Sequence, residues 1–227
     1  MTHYNLALLG FGNVGQSLAR LLQRKAPSLA ADFDLTFTVT AIGTARHGAA
    51  FDPRGLDLDQ ALRLAARGED LSALSPHPAP TDTFELLRRS QADVLFENTP
   101  VNYHTGQPAL DYLRAALALG MHAITANKGP VVHGFQALSA LAAGHGRKFY
   151  FESAVMDGAP IFSLFRQALP AAELRAFSGI LNSTTNLILG RMEAGESLED
   201  AISYAQSIGI AETDPSGDVD GWDAAVK

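Results

Sequence analysis

The stretch Tyr4-Asn5-Leu6-Ala7-Leu8-Leu9-Gly10-Phe11-Gly12-Asn13-Val14-Gly15 decides the fold. A short apolar run over residues 4–9 leads into G-x-G-x-x-G, and a helical spacing then places Val14, Leu18, Leu21 and Leu22 on one face. Strand, glycine turn and helix in this order have a physical meaning. The first glycine permits the tight turn, the second lets backbone approach a pyrophosphate, and Gly15 lets helix and strand pack closely. The helix start adds free N–H groups and a partial positive charge. Gly10, Phe11, Gly12, Asn13, Val14 and Gly15 are therefore read as the phosphate-binding turn for a nicotinamide dinucleotide.

Outward from the turn, strands are expected at residues 35–42, 93–96 and 122–126, and helices at 57–66, 82–89 and 106–119. Such alternation implies an α/β fold, a Rossmann-like doubly wound parallel sheet covered on both faces. The pattern changes near Lys148. Residues 1–147 are assigned to a dinucleotide-binding domain and 148–227 to the start of an α+β substrate domain. In the latter, strands are expected at 148–151 and 173–181, a helix at 159–169 between them, and helices at 186–192 and 198–208, with Gly209 as the stop. Residues 221–227 read as a helix start without a terminator, and the chain is expected to be truncated at its C-terminus.

The 227 residues, 47% of them hydrophobic, can build one large domain or two modest ones. A formal charge of -7 argues against a binder of phosphate backbones, so no nucleic-acid partner is expected. With no apolar run of about 18 residues and no basic, apolar leader, a soluble cytoplasmic protein without a membrane partner is expected. The absence of cysteine excludes disulfides, thiolate metal sites and thiol nucleophiles. The seven histidines are scattered without a metal-binding spacing, and no transition metal is assigned. After the second strand, Gly43-Thr44-Ala45-Arg46-His47-Gly48 lacks the carboxylate that would hold a ribose 2′-hydroxyl, whereas Arg46 offers a fork of donors to a 2′-phosphate. NADP is expected, with NAD as the alternative.

Four downstream segments are too specific in their polar placement for ordinary core: Asn98-Thr99-Pro100, Thr125 to Pro130 (T-A-N-K-G-P), Glu152 to Pro160 (E-S-A-V-M-D-G-A-P) and Gly179 to Asn186 (G-I-L-N-S-T-T-N). The first two follow strands and fall at the carboxyl edge of the sheet, so Thr99 and Lys128 are expected at the cofactor. Together with Glu212-Thr213-Asp214-Pro215 and the D-V-D-G-W-D-A-A-V-K run from Asp218 to Lys227, these segments resemble homoserine dehydrogenase over nearly the whole chain.

The resemblance implies that Lys227 is the catalytic acid/base, that Lys128 stands beside the reacting centre and cofactor, and that Glu212, Asp218 and Asp223 hold or orient the substrate. It places Gly209 against the nicotinamide side, and Gly179 and Thr184 in the turn bounding the substrate pocket. It also implies a monovalent cation, sodium or potassium, at Glu152, Val155, Asp157 and Ala159, although the family usually has a small residue where this chain has Asp157. A homodimer is implied for the full-length protein. The chemistry of the residues agrees with the implied substrate pair, aspartate semialdehyde and homoserine. The semialdehyde carries an ammonium and a carboxylate, and needs carboxylates and a cation in one pocket. Asp223 and Lys227, four apart, share a helix face. Dehydrogenases that oxidise aldehydes through a thioester are excluded by the missing cysteine. A cofactor-binding or regulatory module without turnover is the other reading.

Overall fold

Leu6, Ala7, Leu8 and Leu9 are all buried at the end of the first strand, β1 (Thr2–Leu9). A strand buried on both faces needs neighbours at both edges and cover above and below. The computed structural model, which describes residues 1–156, 158–211 and 215–227, shows what supplies them. Two units divide the chain, Met1–Ala159 and Pro160–Lys227.

In the first unit, β2 (Leu35–Gly43), β3 (Ala49–Phe51), β4 (Val94–Glu97), β5 (His122–Thr125) and β6 (Phe149–Tyr150) join β1 in a six-stranded sheet of order β3-β2-β1-β4-β5-β6. Every neighbouring pair is parallel except β2 with β3. β1 and β4 lie side by side although far apart in sequence, and this is where the strand order reverses. In such sheets the crevice beyond the carboxyl ends at the reversal is the ligand site. Residues 148–159, assigned from sequence to the following domain, lie within this unit, where β6 extends the sheet beside β5.

Five helices accompany the sheet: α1 (Asn13–Phe33), α2 (Leu58–Ala66), α3 (Thr83–Ser90), α4 (Ala109–Ala118) and α5 (Lys128–Gly144). Side chains alternate across a strand. Leu6 and Leu8 join a core cluster with Ala19 of α1 and Leu58 and Ala61 of α2, while Leu9 turns towards Leu86 of α3 above Gly43. Asp57 and Asp82, expected as first helical residues, are caps: their carboxylates accept the backbone N–H of Gln60 (2.9 Å) and Glu85 (2.7 Å). On α1, Val14 and Leu21 are exposed, contrary to expectation. The inward face is instead Gly15, Leu18, Ala19 and Leu22, because the close approach of Gly15 to Gly10 fixes the rotation of the helix. No element is expected from the sequence between residues 127 and 147, where α5 forms. Pro130 falls in the first turn, where a missing N–H costs nothing. At Gly134 a Cβ would meet the end of the Leu110 side chain of α4, which would have to shift to admit it.

The second unit contains α6 (Ile161–Ser163), which continues as a wider turn through Leu164–Ala168, then α7 (Ser183–Glu193), α8 (Leu198–Ser207), α9 (Ser216–Val219) and α10 (Trp222–Val226). Its small core joins Ile188, Ala201, Ala205 and Ala211. The strand expected at 173–181 does not form: these residues are exposed and pair with no described strand. A single apolar run cannot hold an extended ladder without a partner edge. Among the described residues no helix is long and apolar enough to cross a membrane.

Candidate functional site

At the end of β1 the backbone comes into contact with itself. Gly10 turns at φ 81°, and a Cβ there would collide with the carbonyl of Asn98, in the loop after β4. At Gly15 a Cβ would collide with the carbonyl oxygen of Gly10. Gly12 is different: nothing lies within 4 Å of where its Cβ would be, and as N-cap of α1 it contributes no side chain to the first-turn N–H groups. Two glycines are thus spent on packing, and one leaves a helix N-terminus open to an anion. A groove of about 940 Å³ begins here, lined by Gly10, Phe11, Gly12, Arg46, Thr99 and Tyr112 among others. Its floor and the open helix end fit a dinucleotide.

The far end of the groove is built by the 44–48 turn and two segments against it. Thr44 Oγ1 donates to the Gly48 carbonyl (2.9 Å) and accepts from the His47 N–H (2.8 Å), leaving Arg46 exposed. Asp70, which sequence reasoning missed, leans over Gly48 closely enough that a Cβ there would meet its carboxylate. It precedes a 3-10 turn, Leu71–Leu74, and accepts the Ser72 N–H (2.8 Å), which holds its carboxyl below the usual range. The search for a ribose-binding acid covered only the end of β2, and nothing local to Asp70 marks it as a neighbour of that turn. The opposite wall, near Pro80, is pinned by an ion pair and stacking. Thr81 donates its N–H (2.7 Å) and hydroxyl (2.6 Å) to Glu85, lowering that carboxyl to about 2. Arg89 pairs with Glu85 (3.1 Å) and lies 4.3 Å from the ring centre of Phe51, on which His77 also stacks.

Below the groove, Glu97 ends β4 with no solvent exposure. Thr99 donates both its N–H (2.7 Å) and its hydroxyl to Oε1, and Thr125 Oγ1 donates to Oε2 (2.7 Å). Burial pushes this carboxyl above its ordinary value, and the hydrogen bonds oppose that push. Thr125 Oγ1 also accepts the Asn127 N–H (2.9 Å), and Asn127 Nδ2 donates to the carbonyls of Thr99 (3.1 Å) and Pro100 (3.3 Å). Asn127 caps α5 through the Gly129 N–H (3.0 Å), which places Lys128 as its first residue at the carboxyl edge of the sheet. Lys128 is half-buried and does not line the groove.

In the second unit the polar residues converge on Asn182. Its Nδ2 donates to Asp218 (2.7 Å) and Asp223 (2.8 Å), while its Oδ1 accepts the Thr185 N–H (2.7 Å) and starts α7. Asp223 pairs with Lys227 at 2.8 Å, with the side chains 13% and 19% exposed. Asp223 and Lys227 are therefore brought together as expected from their spacing, and Asp218 joins them through Asn182. Asn182, at the centre, is marked in the sequence only by its place in G-I-L-N-S-T-T-N. Thr184 is buried and donates to the Ile210 carbonyl (3.4 Å), Gly179 borders a small cleft with Asn182, and Gly209 ends α8 at φ 74°. Glu212 and Asp157 lie outside the described residues. Glu152 sits in a single 3-10 turn, Glu152–Ala154, followed by Val155. Among the described residues no three acidic or histidine side chains gather in a way that could hold a metal.

The strand order, the glycine turn and the groove at the reversal define a dinucleotide-binding α/β domain. Residues 10–152 match the family model described as "Homoserine dehydrogenase, NAD binding domain", and residues 160–227 match the one described as "Homoserine dehydrogenase". The chain is 36% identical, over its whole length, to an NAD(+)-dependent homoserine dehydrogenase of Pseudomonas canavaninivorans, and 35% identical, over 98% of its length, to the homoserine dehydrogenase of Methanocaldococcus jannaschii. It covers 64% and 66% of those proteins, so it spans just under two thirds of their length. Among solved structures, a hyperthermophilic archaeal homoserine dehydrogenase in complex with NADPH superposes with a TM-score of 0.83 at 30% identity, over 100% of this chain and 67% of that one. The enzyme of Thermoplasma acidophilum gives 0.76 at 27%, over 100% of this chain and 67% of that one. The chain belongs to the homoserine dehydrogenase family.

The two kinds of glycine separate in an experiment. Gly15→Ala should lower unfolding free energy by about 1–3 kcal/mol through overpacking against backbone. Gly12→Ala should cost less than about 1 kcal/mol, since alanine is only a poorer N-cap in open space. Its Cβ should nevertheless weaken NADPH binding. Urea unfolding and NADPH titration of both variants check this; equal stability loss in the two would contradict the division of roles.

Proposed function

We propose that this chain carries the cofactor domain and the first part of the catalytic domain of an enzyme interconverting L-aspartate 4-semialdehyde and L-homoserine with NAD(P)H, the unit Met1–Ala159 serving the cofactor and the unit Pro160–Lys227 beginning the catalytic part. The observation that carries the reading is the cluster of Asn182, Asp218, Asp223 and Lys227. Two carboxylates and an ammonium, held together by an amide, suit a substrate that has both an ammonium and a carboxylate. The cofactor would supply a hydride to the aldehyde carbon. Lys227, oriented by Asp223, would give a proton to the oxygen and stabilise its charge, with Lys128 as the competing lysine. Glu212 would add a carboxylate to the substrate site, Gly179 and Thr184 would bound it, and Gly209 would lie at the nicotinamide.

Lys227→Ala should lower kcat about 10²- to 10⁴-fold while leaving NADPH affinity nearly unchanged. Arginine should not restore activity, because a guanidinium keeps its proton. Stopped-flow oxidation of NADPH by aspartate semialdehyde measures this. Near wild-type hydride transfer in Lys227→Ala with an inactive Lys128→Ala would move the acid/base role to Lys128. A protein that binds NADPH and never oxidises it with this substrate would leave only the module without turnover.

NADP preference rests on Arg46, exposed at the groove with no carboxylate paired to it among the described residues. Asp70 favours a second reading, since its charge faces the same turn and could hold a ribose hydroxyl of NAD. Arg46→Ala should cost about 1.5–3 kcal/mol in NADPH binding and little in NADH binding. Titrations of both cofactors decide it, and an Asp70→Asn variant that weakens NADH selectively while Arg46→Ala weakens neither would assign the groove to NAD.

A sodium or potassium ion is proposed at Glu152, Val155, Asp157 and Ala159, bound largely through main-chain oxygens, which suit a hard cation. The protein should melt at a higher temperature in sodium or potassium than in tetramethylammonium at equal ionic strength. Identical melting in all three removes the ion.

A further inference from the structure

Glu97 lies outside every motif singled out above. A carboxylate with no solvent exposure at the end of a buried strand carries a desolvation cost that apolar side chains in its place would avoid. Its partners show what the charge organises. Oε1 takes both donors of Thr99, and Oε2 takes the hydroxyl of Thr125, itself the acceptor for the N–H of Asn127. Asn127 then holds the carbonyls of Thr99 and Pro100 and caps α5. The carboxylate thus closes a ring across two separate strand ends: β4 to its own loop at Thr99, β5 to its own loop at Asn127, and the two loops to each other. Thr99 and Pro100, the part of the ring that reaches the groove, line it beside the glycine turn. A neutral side chain could fill the space. An ionised carboxylate accepts every one of these donors with no proton of its own to place.

We propose that Glu97 is a positioning residue for the cofactor: its carboxylate, through Thr99 directly and through Thr125 and Asn127 behind it, sets the 98–100 loop at the height where Thr99 and Pro100 support the nicotinamide half of the dinucleotide, and has no bearing on the adenosine half. The inference rests on the dinucleotide reading of the groove. A purely structural role would weaken every ligand of the groove together, because the fold would loosen as a whole. A positioning role would divide the ligand in two.

The experiment compares NADPH with adenosine 2′,5′-bisphosphate, which reaches only the far end of the groove. In Glu97→Gln the amide presents a donor where an acceptor is needed. NADPH affinity should fall about tenfold, the range for a hydrogen bond to a charged group. Affinity for the bisphosphate should stay within about twofold, and the blue shift of bound NADPH fluorescence should shrink. A companion pair guards against a variant that fails to fold: Thr125→Val should show the same division, and Thr125→Ser, which keeps the hydroxyl, should restore wild-type NADPH binding. Parallel loss of both ligands, or loss of neither, overturns the proposal. Failure of the wild-type protein to bind either ligand would instead overturn the reading of the groove.

Discussion

Three backbone segments meet at Gly10: the end of β1, the first turn of α1 at Gly15, and the loop after β4 at Asn98. Each approach is closer than a Cβ would allow, so the constraint is steric and independent of any ligand. Its consequences reach across the first unit. The rotation of α1 follows from it, and with that the choice of Gly15, Leu18, Ala19 and Leu22 as the buried face. The adjacency of β1 and β4 brings the loop ends of both strands to one crevice. The open N-terminus of α1 then points into a groove whose walls were built for other reasons, by the 44–48 turn and by the segment around Pro80, which Thr81 ties to the Glu85 and Arg89 pair.

Charge is used differently in the two units. In the first, the carboxylate that matters most to loop geometry is fully buried, and all its partners are neutral donors. Burial, the larger effect, raises its proton affinity, while those donors oppose the rise. In the second, Asp218, Asp223 and Lys227 are held around one amide at partial exposure. A cluster that keeps some contact with water can exchange protons and substrate groups, whereas a sealed one can only hold a shape. This contrast is the physical reason to give Lys227 chemistry and Glu97 position.

The strand, glycine turn and helix at the start of the chain could be read directly, because each depends on neighbours within a few residues. So could the capping aspartates, to within one residue, and the partnership of Asp223 with Lys227, which a helix turn guarantees. What the sequence pattern misread shares one property. The helix at Lys128–Gly144, for which no expectation is set, starts at a cap supplied by Asn127, a residue tied across to the 98–100 loop. The expected strand at 173–181 pairs with no edge among the described residues. Asp70, Glu97 and Asn182 do their work on residues that come near only after folding: Glu97 meets Thr125 across 28 positions, and Asn182 meets Asp223 across 41. Local periodicity and turn chemistry determined the fold class and the residues of the glycine turn. Which carboxylates and amides organise the groove and the lysine cluster was decided by the tertiary structure, because a hydrogen bond between distant segments leaves no periodic trace in the sequence.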